Sequence, residues 1–288
     1  MAMTETAMPS QFVPVSQSRH GGRYWRRFTS YDFARALRQV PIVSGEHEQI
    51  AANFPILFRP SGPKGAQWCA PMALLRSAPV GNSAFVAANG SWRAHYVPSI
   101  LRVHPFGARP GRQTEGGPGD EIQMALLVDE ASGLISDNPD DEPFFDVDGE
   151  MGKGLAEVVE FFRQRTIAAR KTQLASVALA RAGVMKQVDP DQPGMADLAE
   201  FQVIDRARFQ ALSDTGISEL IRSGALALAF AHFVSLSHVA FLHNVEKHVE
   251  NLPPEGTSAG VFKDERSERL SDFLDALAEA QDFDQSEH

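Results

Sequence analysis

A single cysteine, Cys69, serves a chain of 288 residues. No disulfide can therefore close within one molecule, no thiolate cluster can hold a metal, and a reducing compartment fits best. Basic charge is also scarce: 27 Lys and Arg stand against 37 Asp and Glu, a formal net charge of −10. Phosphate binding needs a basic footprint, so a nucleic-acid partner is not expected. Long apolar runs are missing too. Nowhere do about eighteen apolar residues follow one another, the length a membrane-crossing helix requires. The opening "MAMTETAMPSQFVPVSQSRHGG" has neither the charged start nor the apolar core of a signal peptide. The expectation is a soluble, cytoplasmic protein without membrane insertion.

What is present is 43% hydrophobic content, enough for a sizeable core. The acidic excess gathers at the end, where residues 251–288 carry ten Asp or Glu against Lys263, Arg266 and Arg269. Within that stretch Leu270, Phe273, Leu274 and Leu277 fall at i, i+3, i+4 and i+7, the pattern of an amphipathic helix that either docks on its own domain or hooks a partner. At the other end, "RHGGRYWRRF" sets Arg19, Arg23, Arg26 and Arg27 around Tyr24 and Trp25. Residues 1–30 are read as a flexible basic and aromatic arm, gripping an anionic partner or lying over the domain with Trp25 tucked in.

Between these ends the pattern changes half-way. Ser44 offers an N-cap for a short helix that Pro55 stops, and "PILFRP" follows as a strand. Further strands are predicted at 71–75, 83–87 and 123–129, and 107–121, with five Gly and two Pro, reads as a surface loop. From Leu155 an apolar period of 3.6 runs to Gly183, a long helix with a glycine C-cap. Then come a strand at 201–205, a short helix, a strand over "ALALAFAHF" with Leu226, Leu228 and Phe230 on one face, and a helix from Ser237 to Val249. The whole is α+β: one mixed domain over 12–250, β-rich in its N-terminal half and more helical in its C-terminal half, followed by an acidic linker and helix over 251–288.

Motifs of known chemistry fail one by one. His232, His238, His243 and His248 are spaced by six, five and five, which spreads them around a helix instead of on one face. "FFDVDGE" places Gly149 fourth from Asp146 where a calcium loop needs it sixth. "GEMGKG" has Val147 for the first glycine of a phosphate loop and Gly154 for its Ser or Thr. Ser235 and His238 make a pair without an orienting acid, and Asp129 and Glu130 would point to opposite faces of a strand. Cys69, in "QWCAPM", reads as a small buried hydrophobe. No metal and no cofactor is expected.

One segment remains dense: "NGSWRAHYVPSILRVHPF", residues 89–106. Gly90 permits a turn, Trp92 and Tyr96 bring large apolar area with one polar handle each, and Pro98 suits the first turn of a short helix that Pro105 ends. Arg93 and Arg102 either receive an anion or pair internally with Asp146 or Asp148. The segment resembles the signature of the SapC family, in which Gly and Trp precede Tyr-Val-Pro, an Arg and a closing Pro-Phe. Three further blocks are similar in order, at 31–58, 126–150 and 201–242, so the likeness spans about residues 12 to 245.

The family takes its name from a bacterial surface-layer gene cluster, and some members are labelled peptidases. Members also lie beside genes for TonB-dependent receptors, hydroxylases using 2-oxoglutarate and iron, and flavin-dependent halogenase-like proteins. The resemblance implies a noncatalytic accessory protein of a surface, secretion or uptake system with a protein partner. Trp92, Arg93, Tyr96, Arg102 and His104 form its expected contact cluster. The rival is an enzyme, either a hydrolase of dispersed Ser, His and Asp or a partner subunit in oxidative modification.

Overall fold

In the computed structural model, residues 12–61, 68–110, 124–192 and 194–250 are described. Strand β1 (Phe12–Pro14), helix α1 (Gln17–His20) and β2 (Tyr24–Trp25) open the chain, followed by β3 (Gln39–Pro41), α2 (His47–Ala51), β4 (Ile56–Ser61) and β5 (Trp68–Leu74). After the signature segment come β6 (Phe106–Pro110), β7 (Met124–Asp129), β8 (Ile135–Ser136) and β9 (Glu142–Pro143). The remainder is mostly helical: α3 (Lys153–Arg181), β10 (Met185–Gln187), β11 (Gln202–Ile204), α4 (Arg206–Gln210), α5 (Asp214–Arg222), α6 (Ala225–Ser235) and α7 (Ser237–Glu250). The α+β class and its β-first, helix-later order are as expected.

The strands form three antiparallel sheets, ordered β10-β11-β4-β5-β3, β1-β7-β6 and β8-β2-β9. The β4–β5 hairpin is the spine of the largest, with Ile56 opposite Ala73 and Ser61 opposite Trp68. Its residues Ile56, Leu57, Phe58, Ala73 and Leu74 have no solvent exposure, because both faces of the sheet are covered.

Helix α3, 29 residues and so about 43 Å long, joins two cores. Leu155, Val158 and Phe162 enter the cluster around Trp25, Phe106 and Phe144, while Ala175, Ala178 and Leu179 enter the cluster around Phe58 and Leu228. Gly183, at φ +68°, ends it in the left-handed conformation that a side chain would strain.

Several expectations change. Residues 225–233 are helix α6, not a strand: Ala225, Leu228, Ala229, Ala231 and His232 are buried at helical spacing, and Leu228 is buried where Phe230 is 56% exposed. Alanine fits either period and has the highest helix propensity, so the Ala-Leu alternation carries no strand information. Residues 83–87 are turns held by a lone bridge between Val86 and Trp92. The start of the expected 107–121 loop belongs to β6, and 111–121 lies outside the described residues. Ser44 does not cap α2; its N–H donates to the Thr172 hydroxyl at 2.6 Å, and α2 begins after Glu46.

Residues 12–30 lie over the domain with Trp25 tucked in, the second of the two readings of this arm. Trp25, 3% exposed, sits edge-on to Phe106 at 4.8 Å as the centre strand of the small sheet, and its flanking arginines meet acids: Arg19 with Glu130, Arg23 with Asp137, Arg27 with Glu142. Residues 1–11 and the expected helix of Leu270, Phe273, Leu274 and Leu277 lie outside the described residues.

Candidate functional site

The signature segment starts at a turn only glycine can make. Gly90 has φ +79°, and a Cβ there would collide with the Ser30 hydroxyl and the Asp32 carboxylate. Trp92 then donates its indole N–H to the Tyr96 carbonyl at 2.8 Å and packs near Tyr31, ring centroids 5.3 Å apart. Past Pro98 the chain makes a 3-10 turn over Ser99–Val103. Arg102 lies 4.7 Å over the Tyr96 ring and donates Nε to the Val97 carbonyl at 2.9 Å. His104 stacks on Phe33 with centroids 3.9 Å apart, and burial pulls its pKa down to about 4. Arg93 reaches the Ala84 carbonyl at 3.4 Å. The structure thus gathers the five residues along one segment, with Trp92, Tyr96 and His104 half-buried and Arg93 and Arg102 exposed.

Beneath them lies a pair that sequence reading missed. The Tyr96 hydroxyl and the Ser99 N–H donate to Glu46 Oε2 at 3.0 and 2.9 Å, while the Val43 N–H and Arg165 Nη1 donate to Oε1 at 3.0 and 3.2 Å. Arg165 also donates to the Ser99 hydroxyl and, at 2.7 Å, to the Pro41 carbonyl. The side chains of Arg165 and Glu46 are 9% and 5% exposed. Burial works to raise the Glu46 carboxyl, but the Ser99 N–H, the Arg165 charge and the Val43 N–H outweigh it and hold the group below the usual carboxylate range. Burial and then the Glu46 charge push the Tyr96 hydroxyl up to about 12, so it donates as a neutral phenol. Four donors leave Glu46 no free role in proton transfer. This is a hub that locks α2, α3 and the signature segment together.

Neither arginine of the segment pairs with Asp146 or Asp148 as one reading expected. Asp146 instead accepts the N–H groups of Asp148 and Glu150 at 3.0 and 2.9 Å, which closes the "DVDGE" turn on itself.

A second feature adjoins Glu46 in sequence, through Ser44, Gly45 and His47. An open trough of about 900 Å³ runs between α2, α3 and α6. Ala51, Ala175, Ala227 and Ala231 line it, with Leu174, Phe230 and Val234 as apolar edges that are 64%, 56% and 62% exposed. Lys171, Arg222 and Glu48 bring its charge. His47 also lines it; burial lowers its pKa, and its Nε2 has no hydrogen-bond partner among the described residues.

A family model described as SapC matches residues 15–242, which include both the signature segment and the trough. The chain belongs to the SapC family. Comparison with curated proteins and with solved structures found no match.

Within this SapC chain the remaining candidates take structural positions. His232, fully buried with a pKa pulled down to about 4 by burial, donates Nδ1–H to the Ile56 carbonyl at 2.7 Å and accepts the Ile204 N–H on Nε2 at 3.2 Å. It cross-links α6 to β4 and β11. Ser235 does not pair with His238; its hydroxyl donates to the His232 carbonyl at 2.7 Å and accepts the Ile56 N–H at 2.9 Å. A hydrolase reading based on Ser235 therefore loses its nucleophile. Cys69 is buried, its thiol raised by burial and directed to Gln202 Oε1 at 3.1 Å. No group of three or more His, Cys, Asp or Glu is placed to hold a metal among the described residues, and no single helix there is long and apolar enough to cross a membrane.

Proposed function

We propose that this SapC protein is a noncatalytic accessory protein that works by binding another protein in a bacterial surface, secretion or uptake system. One observation carries the reading: the trough edged by exposed Leu174, Phe230 and Val234, an apolar surface of the kind that marks interaction sites. Its polar neighbours in the core point the same way, since the carboxylate of Glu46, the imidazole of His232 and the hydroxyl of Ser235 are all spent on internal bonds. Of the signature cluster, Arg93 and Arg102 are exposed and supply a secondary contact edge. The system name rests on the family resemblance alone. A cytoplasmic setting is supported by the one cysteine, held as a buried thiol.

The test is affinity capture of the tagged full-length chain from its source cells, wild type beside Phe230→Asp, with recovered proteins quantified by mass spectrometry. A defined protein recovered by the wild type and lost by the variant supports the reading. Should that protein be an oxygenase or a flavin enzyme, the accessory role is that of a partner subunit in oxidative modification. Equal recovery by both chains, or a chain that returns with a small molecule and no protein, contradicts it.

A further inference from the structure

The outward face of α3 adds chemistry to the trough beside it. At about 100° per residue, Arg163, Ile167, Arg170 and Arg181 all fall within about 40° of Leu174, and Lys171 lies about 60° to one side. All six residues are exposed. Four cations and two apolar side chains thus share one side of a helix, with exposed Glu160 about 40° from Leu174 as the one acid there, in a protein whose net charge is −10. Leu174 and Lys171 belong to both features, since they also line the trough, and Arg222 places one further positive charge on its wall, against one negative charge from Glu48.

Among the described residues, Arg170, Lys171, Arg181 and Arg222 have no carboxylate partner, and Arg163 has only Glu160 at 3.9 Å. Several arginines elsewhere are paired with acids, as with Arg19, Arg23, Arg27, Arg38 and Arg165, while Arg76, Arg93 and Arg102 meet backbone carbonyls. The unpaired set of α3 and Arg222 reaches the trough at Lys171 and Arg222. It surrounds an apolar floor of alanines, small enough to let another backbone come close.

We propose that the trough and the α3 face receive an acidic amphipathic helix of a partner protein. The partner's apolar ridge, with Leu or Phe at i, i+3, i+4 and i+7, seats against Leu174, Phe230 and Val234, and its Glu and Asp flanks meet Lys171, Arg170 and Arg222. This deepens the binding reading above and rests on it. A concave trough favours a helix over a flat lipid surface.

The experiment uses the full-length chain and a fluorescein-labelled peptide of about eighteen residues with Leu and Phe at i, i+3, i+4 and i+7 and Glu elsewhere, followed by anisotropy. Saturable binding is expected that weakens as salt rises. Phe230→Asp should weaken it about tenfold or more, as for a central contact, with Val234→Asp as the second variant in case the first misfolds. Lys171→Glu with Arg222→Glu should weaken it while leaving thermal unfolding unchanged.

Equal binding of a peptide with Lys in place of Glu overturns the proposal, as does binding indifferent to both trough variants. Trough-dependent pelleting with anionic vesicles, without peptide binding, would assign the face to a membrane instead; a dimer that Phe230→Asp dissolves would assign it to a second copy. Failure of the peptide while cells still yield a Phe230-dependent partner would sink the helix chemistry and leave the binding reading standing.

Discussion

The signature segment and the α2–α3–α6 trough differ in how much of their chemistry is free. The segment from Gly90 to Phe106 holds Trp, Tyr, Arg and His in close order, yet Trp92, Tyr96 and His104 are engaged with the Tyr96 carbonyl, Glu46 and Phe33. The trough has five alanines in its wall and Leu174, Phe230 and Val234 at its edges, and these three are more than half exposed. Trp92, Tyr96 and His104 are here absorbed by the fold, while plain apolar side chains stay available. Density of reactive side chains is not the same as availability.

That contrast breaks most sharply at Glu46. Glu46→Ala leaves Arg165 buried beside empty space and takes the acceptor from Tyr96, Ser99 and Val43. The expected loss is about 3–5 kcal/mol in urea unfolding, with part recovered when Arg165→Met is added, since removing both charges leaves none unpaired. A loss under about 1 kcal/mol would mean that the hub is not structural.

A second, smaller effect is acid lability. Burial holds His104 and His232 near a pKa of about 4, against the ordinary 6.5. Below pH 6.5 the unfolded chain takes up protons at both imidazoles that the folded chain refuses. Their contribution is therefore whole above 6.5 and falls as pH drops toward 4. For His232, wholly buried, the slope approaches about 1.4 kcal/mol per pH unit; for His104, which water reaches, it is less. Urea midpoints at several pH values check this, and His104→Phe should flatten the curve. A wild-type curve level from neutral pH to 4 would be contrary.

The smallest effect is expected on the other side of the comparison. Phe230→Asp, on an exposed face of α6, should change stability by no more than about 0.5 kcal/mol in the same assay. A large loss would show that Phe230 is core and the trough closed.

How much of this was legible follows from distance along the chain. Helix α3 was visible because its apolar row keeps phase over eight turns and Gly183 closes it, and the β4–β5 strands because Pro and Gly bracket apolar runs. Helix α6 was not, because its Ala-Leu alternation mimics a strand. The hub was hidden by the separation of 119 positions from Glu46 to Arg165. A signal existed: Arg165 is in phase with Leu155, Val158, Phe162 and Leu179, a cation placed on the buried face of a helix, which demands a buried acid. The trough left no local trace, since three separate helices contribute to it. Its apolar edges look in sequence like any core residue.

The most direct measurement is photo-crosslinking in the source cells, with benzoylphenylalanine placed at position 230 in one full-length chain and at position 93 in another. The account predicts a defined protein adduct from position 230, with a weaker one or none from position 93. An adduct from 93 alone would return the binding surface to the signature segment and contradict it.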